Sequence, residues 1–134
     1  MIKLIMNGCN GKMGQVISRL AEEDSEVEIV AGVDINTQIK NTYPVYTSID
    51  EFDGEADVVI DFSHPSCLNN VLNYCKRTKT AVILATTGFS ADDKANFEAA
   101  SKEIPVFFSA NMSLGINLLI SLAKQAAKLL EGNF

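Results

Sequence analysis

Short apolar runs alternate with stretches of helical spacing along most of this chain. Five runs have the length and composition of buried strands, and they cover residues 2–6, 27–33, 56–62, 80–87 and 105–108. Between them apolar residues recur every three or four positions, as Val16, Ile17 and Leu20 do. This alternation predicts an α/β fold: a doubly wound, Rossmann-like parallel sheet in three layers with about six strands.

The turn after the first run carries three glycines at intervals of three residues, Gly8, Gly11 and Gly14. In a strand-to-helix turn, the first glycine permits a tight bend and the second lets the backbone approach a pyrophosphate. The third allows close packing of helix and strand. Because helix amides point at the same place, the spacing predicts a phosphate-binding turn over residues 8–13. Glycines also serve ordinary turns, so their context matters.

That context includes Asp34, which ends the second run 20 residues after Gly14. An acidic residue at this offset usually contacts the adenosine ribose of a dinucleotide. The alternative is a solvated carboxylate that opens the polar loop 35–42. Lys40 is the one cation near Asp34 in this stretch, and no arginine follows the acid. The pattern therefore allows both cofactors and favours NADH over NADPH.

Polar corners follow the later runs as well. They comprise Phe62, Ser63 and His64, then Ala85, Thr86 and Thr87, and finally Ser109, Ala110, Asn111 and Met112. All follow strands, so a parallel sheet would gather them on one edge, where one extended dinucleotide could touch each. The hydroxyls of Thr86 and Thr87 suit a ribose or carboxamide, unless they merely form a turn. His64 is the only histidine, and a solvated loop residue is more common there than a catalytic one.

Two serines predict helix starts, since Ser48 and Ser90 are each followed three residues later by an acid that completes a capping box. The last helix should start at Leu114. Its apolar residues exceed one face, which predicts a partner beyond its own sheet.

Composition restricts the possible partners. With 134 residues and a net charge of −6, the chain suits one acidic globular domain, and a nucleic-acid partner is not expected. No run reaches the length of a membrane span and no signal peptide opens the chain, so we expect a cytoplasmic protein. The three cysteines lack metal or redox spacing, and no metal site is expected. Cys67 and Cys75 suit helix packing, whereas Cys9 lies where a helix N-terminus can lower a thiol pKa.

Four motifs resemble the 4-hydroxy-tetrahydrodipicolinate reductase family, also called dihydrodipicolinate reductase, of bacterial lysine and diaminopimelate synthesis. They are Gly8-Cys9-Asn10-Gly11-Lys12-Met13-Gly14, Asp61-Phe62-Ser63-His64-Pro65, Ala85-Thr86-Thr87-Gly88-Phe89 and Ala110-Asn111-Met112-Ser113-Leu114-Gly115-Ile116-Asn117. They occur in the family's order across nearly the whole chain. The last is much more specific than the glycine turn.

The resemblance implies a role for each cofactor-binding residue. Gly8, Cys9, Asn10, Gly11, Lys12 and Met13 would hold the pyrophosphate, and Asp34 the adenosine ribose. The nicotinamide side would contact Phe62, Ala85, Thr86, Thr87, Ser109, Ala110, Asn111 and Met112, and Ser63 is also expected at the cofactor. Thr87 would lie beside the substrate. The chain departs from the family at Ala85, commonly glycine there, and at Lys12 and Ile35, often arginine.

The resemblance also implies a second domain, which binds a dicarboxylate substrate, forms a homotetramer and carries paired histidines, a lysine and a Pro-Ser-Gly-Thr run. None of these motifs occurs here. We therefore interpret residues 1–134 as an NAD(P)H-binding domain, expected to be inactive alone, with no catalytic residue of its own. The alternatives are a stand-alone NAD-sensing module and the cofactor domain of another small-acid dehydrogenase.

Overall fold

A computed structural model describes residues 1–110 and 112–131. The fold is one six-stranded sheet with four α-helices, and it confirms the predicted α/β class. The strands are β1 (Ile2–Asn7), β2 (Val27–Val33), β3 (Val45–Tyr46), β4 (Val58–Asp61), β5 (Ala81–Leu84) and β6 (Val106–Phe108). The helices are α1 (Lys12–Glu23), α2 (Leu68–Thr78), α3 (Ala91–Ala100) and α4 (Leu114–Leu130).

All neighbouring strands are parallel, in the order β3-β2-β1-β4-β5-β6. The chain starts in the middle, moves outward through β2 and β3, and returns to build the other half beside β1. The order therefore reverses between β1 and β4, where a doubly wound sheet opens a crevice at the carboxyl ends of its strands. The strand ends are level there, since Asn7 pairs with Asp61 and Asp61 with Leu84.

Side chains of the sheet pack into two clusters on opposite faces. Val59, Val82 and Leu84 form part of the larger one, which α2 and α3 cover with residues such as Val71 and Phe97. The smaller one centres on buried Met6, Cys9 and Tyr43, with Ile17 of α1 and Ile60 of β4 packed against it. Because successive strand residues such as Val59 and Ile60 belong to different clusters, the sheet has helices on both faces, as three layers require.

Both predicted capping boxes are present. The Ser48 box starts a short 3-10 helix, Ile49–Glu51, and the Ser90 box starts α3. Two boundaries differ from expectation. The helix after the glycine turn begins at Lys12, before its apolar pattern starts, and α3 ends at Ala100 where we expected it to run toward Glu103.

The strand β3 was not predicted. It has only two residues, too few to show an alternating pattern, and it follows Pro44 directly. Its pairing is nevertheless clear, because the amide of Gly32 donates to the Pro44 carbonyl (2.9 Å) and that of Asp34 to the Tyr46 carbonyl (3.0 Å). This edge strand is the sixth strand of the sheet, and it brings Thr47 to the carboxyl edge.

The last helix, α4, differs from the other three. Every one of its residues from Leu114 to Leu130 is exposed, including Leu119 (66 %) and Leu129 (78 %). The expected partner for this apolar helix stays a prediction. Among the helices described, none is both long enough and apolar enough to traverse a bilayer.

Candidate functional site

Two cavities lie at the carboxyl edge of the sheet and share one lining residue, Phe62. The first has a volume of about 220 Å³ and lies between the ends of β1, β2 and β4. The second, of about 250 Å³, lies beyond the ends of β4, β5 and β6. The predicted polar corners thus share one edge, where the two cavities are neighbours on either side of Phe62; we call the pair the cleft.

The glycine turn borders the first cavity and needs glycine at two of its three positions. Gly8 has a φ of +80°, and a Cβ there would lie 2.6 Å from the Phe62 carbonyl oxygen. A Cβ at Gly14 would lie 2.1 Å from the Gly8 carbonyl oxygen. Gly11 is different, since its nearest neighbour would be that same oxygen at 3.4 Å. A Cβ at Gly11 would therefore make only an ordinary van der Waals contact within the protein, so the close approach of a ligand is the remaining reason for glycine here.

Most amides of this turn are already engaged. Those of Gly8 and Cys9 donate to the Val33 carbonyl, and that of Gly11 donates to Gly8 (3.2 Å). Within the described part of the chain, the amides of Lys12, Met13 and Gly14 in the first turn of α1 have no acceptor. Free first-turn amides bind anions, so α1, more than the turn itself, supplies the donors for a phosphate.

The helix N-terminus does not lower the pKa of the Cys9 thiol. The Cys9 side chain is fully buried beneath the turn, and burial, with a smaller contribution from Asp34, raises the pKa of this thiol to about 11. The suggestion that the helix N-terminus lowers this pKa was wrong, because desolvation of the thiolate outweighs the dipole. Cys9 also has no side-chain atom in the cleft. Its predicted cofactor contact would have to come from the backbone.

Asp34 lines the first cavity and is held in place by two backbone amides. Its carboxylate accepts from Asn10 (2.9 Å) and from Asn36 (2.8 Å). Asn10 is itself buried, and its side-chain amide donates to the Asn36 carbonyl and accepts from Asn41 (2.9 Å). These bonds tie loop 35–42 to the glycine turn. Asp34 is therefore an ordered hydrogen-bond acceptor, and the Asn10 side chain is bonded to loop 35–42.

The lining of the first cavity extends beyond the predicted residues Gly8, Gly11, Asp34, Phe62 and Ser63. It also includes Asn7, Val33, Ile35, Thr47, His64 and Cys67. Of these, Ile35 is 94 % exposed. No lysine or arginine of the described residues lines either cavity, and the exposed side chains of Lys12 and Lys40 lie outside both.

Two of the additional lining residues had been given other roles. His64 caps the short 3-10 helix Pro65–Cys67, because its Nδ1 accepts from the Ser66 amide (3.2 Å). It is exposed at the rim of the cavity. Cys67 was expected to pack within a helix, yet it is only partly buried and lines the first cavity, while Cys75 is buried in the core.

The second cavity contains most of the residues predicted for the nicotinamide side. They are Phe62, Ala85, Thr87, Ser109, Ala110 and Met112. Met13, which was predicted at the pyrophosphate, and Ser113 also line this cavity. Asn111 lies outside the described residues. Ser113 also caps α4, since its hydroxyl accepts from the Ile116 amide (3.5 Å).

Thr86 differs from its neighbour Thr87. It is buried, and its hydroxyl donates to the Asp61 carboxylate (3.1 Å). Of the two hydroxyls expected to face the cofactor, that of Thr86 is thus bonded to Asp61, and its contact with a cofactor stays a prediction. The chain turns after β5, which directs Thr86 inward and leaves Thr87 exposed.

No role was predicted for Asp61, yet it connects these elements. It is fully buried and accepts hydrogen bonds from Asn7, Ser63 and Thr86. Burial raises the pKa of this carboxyl, and the hydrogen bonds from Ser63, Thr86 and Asn7 oppose that rise. An acid at the end of the apolar run 58–60 was the available signal. Among residues 1–110 and 112–131, no cluster of three metal-binding side chains occurs.

Comparison with known proteins shows the family to which the chain belongs. The sequence matches the family described as "Dihydrodipicolinate reductase, N-terminus" over residues 2–112. The chain belongs to this family. The match confirms the resemblance carried by the four motifs.

Relatives and a solved structure agree with the family. A 4-hydroxy-tetrahydrodipicolinate reductase of Caldanaerobacter subterraneus subsp. tengcongensis is 55 % identical over 132 residues, covering 98 % of this chain. The reductase of Clostridium perfringens strain SM101 is 47 % identical over 135 residues. The fold matches a dipicolinate-bound dihydrodipicolinate reductase from Paenisporosarcina sp. TG-14 with a TM-score of 0.79 at 20 % identity, over 95 % of this chain.

Length separates the chain from these relatives. It covers 52 % and 53 % of the two reductases, and 54 % of the solved chain. The chain thus spans about half the length of the relatives that it matches.

Proposed function

We propose that the chain is the cofactor-binding part of an NAD(P)H-dependent reductase that converts 4-hydroxy-tetrahydrodipicolinate to tetrahydrodipicolinate. One observation carries the proposal: two cavities on the carboxyl edge of the sheet share the lining residue Phe62. The edge lies where the strand order reverses, the usual place for a dinucleotide. Relatives named for this reaction support the choice of substrate.

In this proposal the adenosine half of the dinucleotide occupies the first cavity. Asp34, fixed by two amides, would accept from the ribose hydroxyls, and the free amides of Lys12 and Met13 would bind the pyrophosphate. The absence of a side chain at Gly11 leaves space for that group. The nicotinamide half would occupy the second cavity, between Phe62, Ala85 and the segment 109–113.

The cofactor preference follows from charge. A 2′-phosphate needs a cation near the adenosine ribose, and Asp34 would repel it. No lysine or arginine among the described residues lines the first cavity. We therefore favour NADH over NADPH, with both able to bind.

Bound nicotinamide would supply the hydride for the reduction. This chain would orient the ring through the second cavity and leave Thr87, which is exposed there, beside the substrate. We assign no catalytic residue to it. The groups that hold the dicarboxylate and donate a proton would belong to a second domain, through which the complete protein would form a homotetramer in the cytoplasm.

Titration calorimetry of the purified chain tests the proposal. We expect NADH to bind with a stoichiometry of one and a parallel assay to show no turnover of substrate. A folded chain, verified by circular dichroism, that binds no dinucleotide would remove the cofactor assignment. Substantial reductase activity would show that the chemistry does not need a second domain.

A second candidate is a stand-alone NAD-sensing module that self-associates through α4. The full exposure of this apolar helix favours it. Light scattering with and without NADH separates the candidates, since a sensor of this kind should change its assembly state when the ligand binds.

A further inference from the structure

Asp61 is a carboxylate at the centre of the carboxyl edge. It ends β4 and is level with Asn7 of β1 and Leu84 of β5. Its exposed fraction is 0 %, although the next residue, Phe62, lines both cavities. The ion pairs found in the described residues, Lys3–Glu55 and Arg77–Asp50, do not involve it.

Hydrogen bonds from three different segments replace a counter-ion. One carboxylate oxygen accepts from the Asn7 side chain (2.9 Å) and from both the amide (3.1 Å) and the hydroxyl (2.5 Å) of Ser63. The other accepts from the hydroxyl of Thr86 (3.1 Å). A buried carboxylate without a cation is costly to keep, and a fully satisfied network of this kind specifies geometry more than it adds stability.

The bonds to Ser63 act on the first cavity and on the junction. With both its amide and its hydroxyl held, Ser63 fixes the peptide that joins it to Phe62. The oxygen of that peptide is the atom that leaves no room for a Cβ at Gly8. Phe62 in turn lines both cavities.

The bond to Thr86 acts on the second cavity. Thr86 stands between Ala85 and Thr87, which both line that cavity, while its own hydroxyl points away from it. A hydrogen bond that holds Thr86 in place therefore also holds Ala85 and Thr87, which form part of the wall of the second cavity. One carboxylate is bonded to the loop after β4 and to the loop after β5.

We propose that Asp61 is the positioning residue of the cleft: it holds the two loops at the spacing that lets one dinucleotide fill both cavities, without touching the cofactor itself. The inference rests on the proposed binding of NAD(P)H. Asp61 is fully buried and lines neither cavity, so its role would be to position other residues.

The test compares NADH with ADP-ribose, which lacks the nicotinamide. Thr86→Val keeps the shape of the side chain and removes its bond to Asp61. We expect the Kd for NADH to rise about tenfold, the size expected for loss of one buried hydrogen bond. The Kd for ADP-ribose should stay within about twofold, since ADP-ribose does not reach the second cavity.

The chain offers a matched control at the other end of the same strand. Thr80 precedes β5, is also buried, and its hydroxyl bonds to Thr78 (2.7 Å) and to the Ala56 carbonyl (3.3 Å). Thr80→Val should lower stability about as much as Thr86→Val and leave both affinities unchanged. If the two variants behave alike, or if Thr86→Val weakens both ligands equally, the inference is overturned.

Asp61→Ala extends the test, because it releases both loops and should weaken NADH and ADP-ribose together. A folded Asp61→Ala protein that binds both ligands as the unchanged chain does would also refute the inference. If this variant does not fold, the pair of threonine variants decides. Failure of the proposed function is visible separately, as absence of NADH binding by the unchanged chain.

Discussion

The two halves of the cleft are built differently. In the first, hydrogen bonds fix the backbone without a ligand. The Asp34 carboxylate accepts from two backbone amides, and the Asn10 side chain ties loop 35–42 to the glycine turn. In the second, much of the wall is exposed, including Thr87, Ala110 and Met112, and part of it belongs to the segment that leads into α4. The comparison teaches that this domain alone orders the wall of the first cavity, where we propose the adenosine half, and leaves much of the wall of the second open, where we propose the nicotinamide half.

The largest effect should come from the glycine turn of the first half. Gly14→Ala would place a Cβ 2.1 Å from a backbone oxygen, so the helix and turn must move apart. We expect a loss of about 2–3 kcal/mol in the free energy of unfolding, measured by urea denaturation. Gly11→Ala is the matched control: we expect a loss of less than about 1 kcal/mol, but at least about tenfold weaker NADH binding, since its Cβ would occupy the ligand's space. Equal stability losses would show that the glycine roles are misassigned.

Asp34→Ala should affect the first half next most strongly. Removing the carboxylate takes away the ribose acceptor and two loop bonds, and we expect NADH affinity to fall at least about tenfold. NADPH should lose less, because its 2′-phosphate no longer meets a negative charge. Calorimetry with both cofactors measures the difference. Equal losses would count against a contact between Asp34 and the free ribose hydroxyls.

Thiol alkylation distinguishes the halves without a mutation. Cys67 lines the first cavity and is only partly buried, whereas Cys9 and Cys75 are fully buried with raised pKa values. Cys67 should react first with iodoacetamide, and saturating NADH or ADP-ribose should slow that reaction several-fold. Mass spectrometry of the peptides measures each site. If ADP-ribose gives no protection, the adenosine half does not occupy this cavity.

The response of stability to alkaline pH reports on the buried floor of the first half, which Cys9 forms beneath the glycine turn. The thiol pKa of Cys9 is raised from 9.0 to about 11 and that of Cys75 to about 12, so the folded state keeps both protons where the unfolded chain loses them. Stability is therefore complete below pH 9 and declines as pH rises toward 11, by up to about 1.4 kcal/mol per pH unit for each thiol. Urea denaturation of Cys9→Ala over the same range should show a shallower decline. An unchanged slope would contradict the assignment.

The sequence predicted those features that depend on local pattern. Apolar runs located five strands, Ser48 and Ser90 marked two helix starts, and the spacing of Gly8 to Gly14 marked the tight turn between β1 and α1. These features are local because strand length, capping and φ are decided within a few residues.

Features that depend on long-range packing were missed. Strand β3 exists only because Pro44 and Tyr46 pair with β2, and its two residues carry no period of their own. Whether Thr86 faces inward depends on where β5 ends and on Asp61, a residue 25 positions earlier. Cys9 lies in the glycine turn as expected, but its thiol pKa is raised by burial, which depends on the packing of the whole sheet.

The central claim is that one extended dinucleotide occupies both cavities, and amide chemical-shift mapping of the isotope-labelled chain of 134 residues tests it most directly. Titrated NADH should perturb residues 8–13, Asp34, Phe62, Ser63 and residues 85–87 together, at one stoichiometry, while ADP-ribose perturbs only those at the first cavity. Shifts confined to α3 or α4, or identical maps for the two ligands, would contradict the claim.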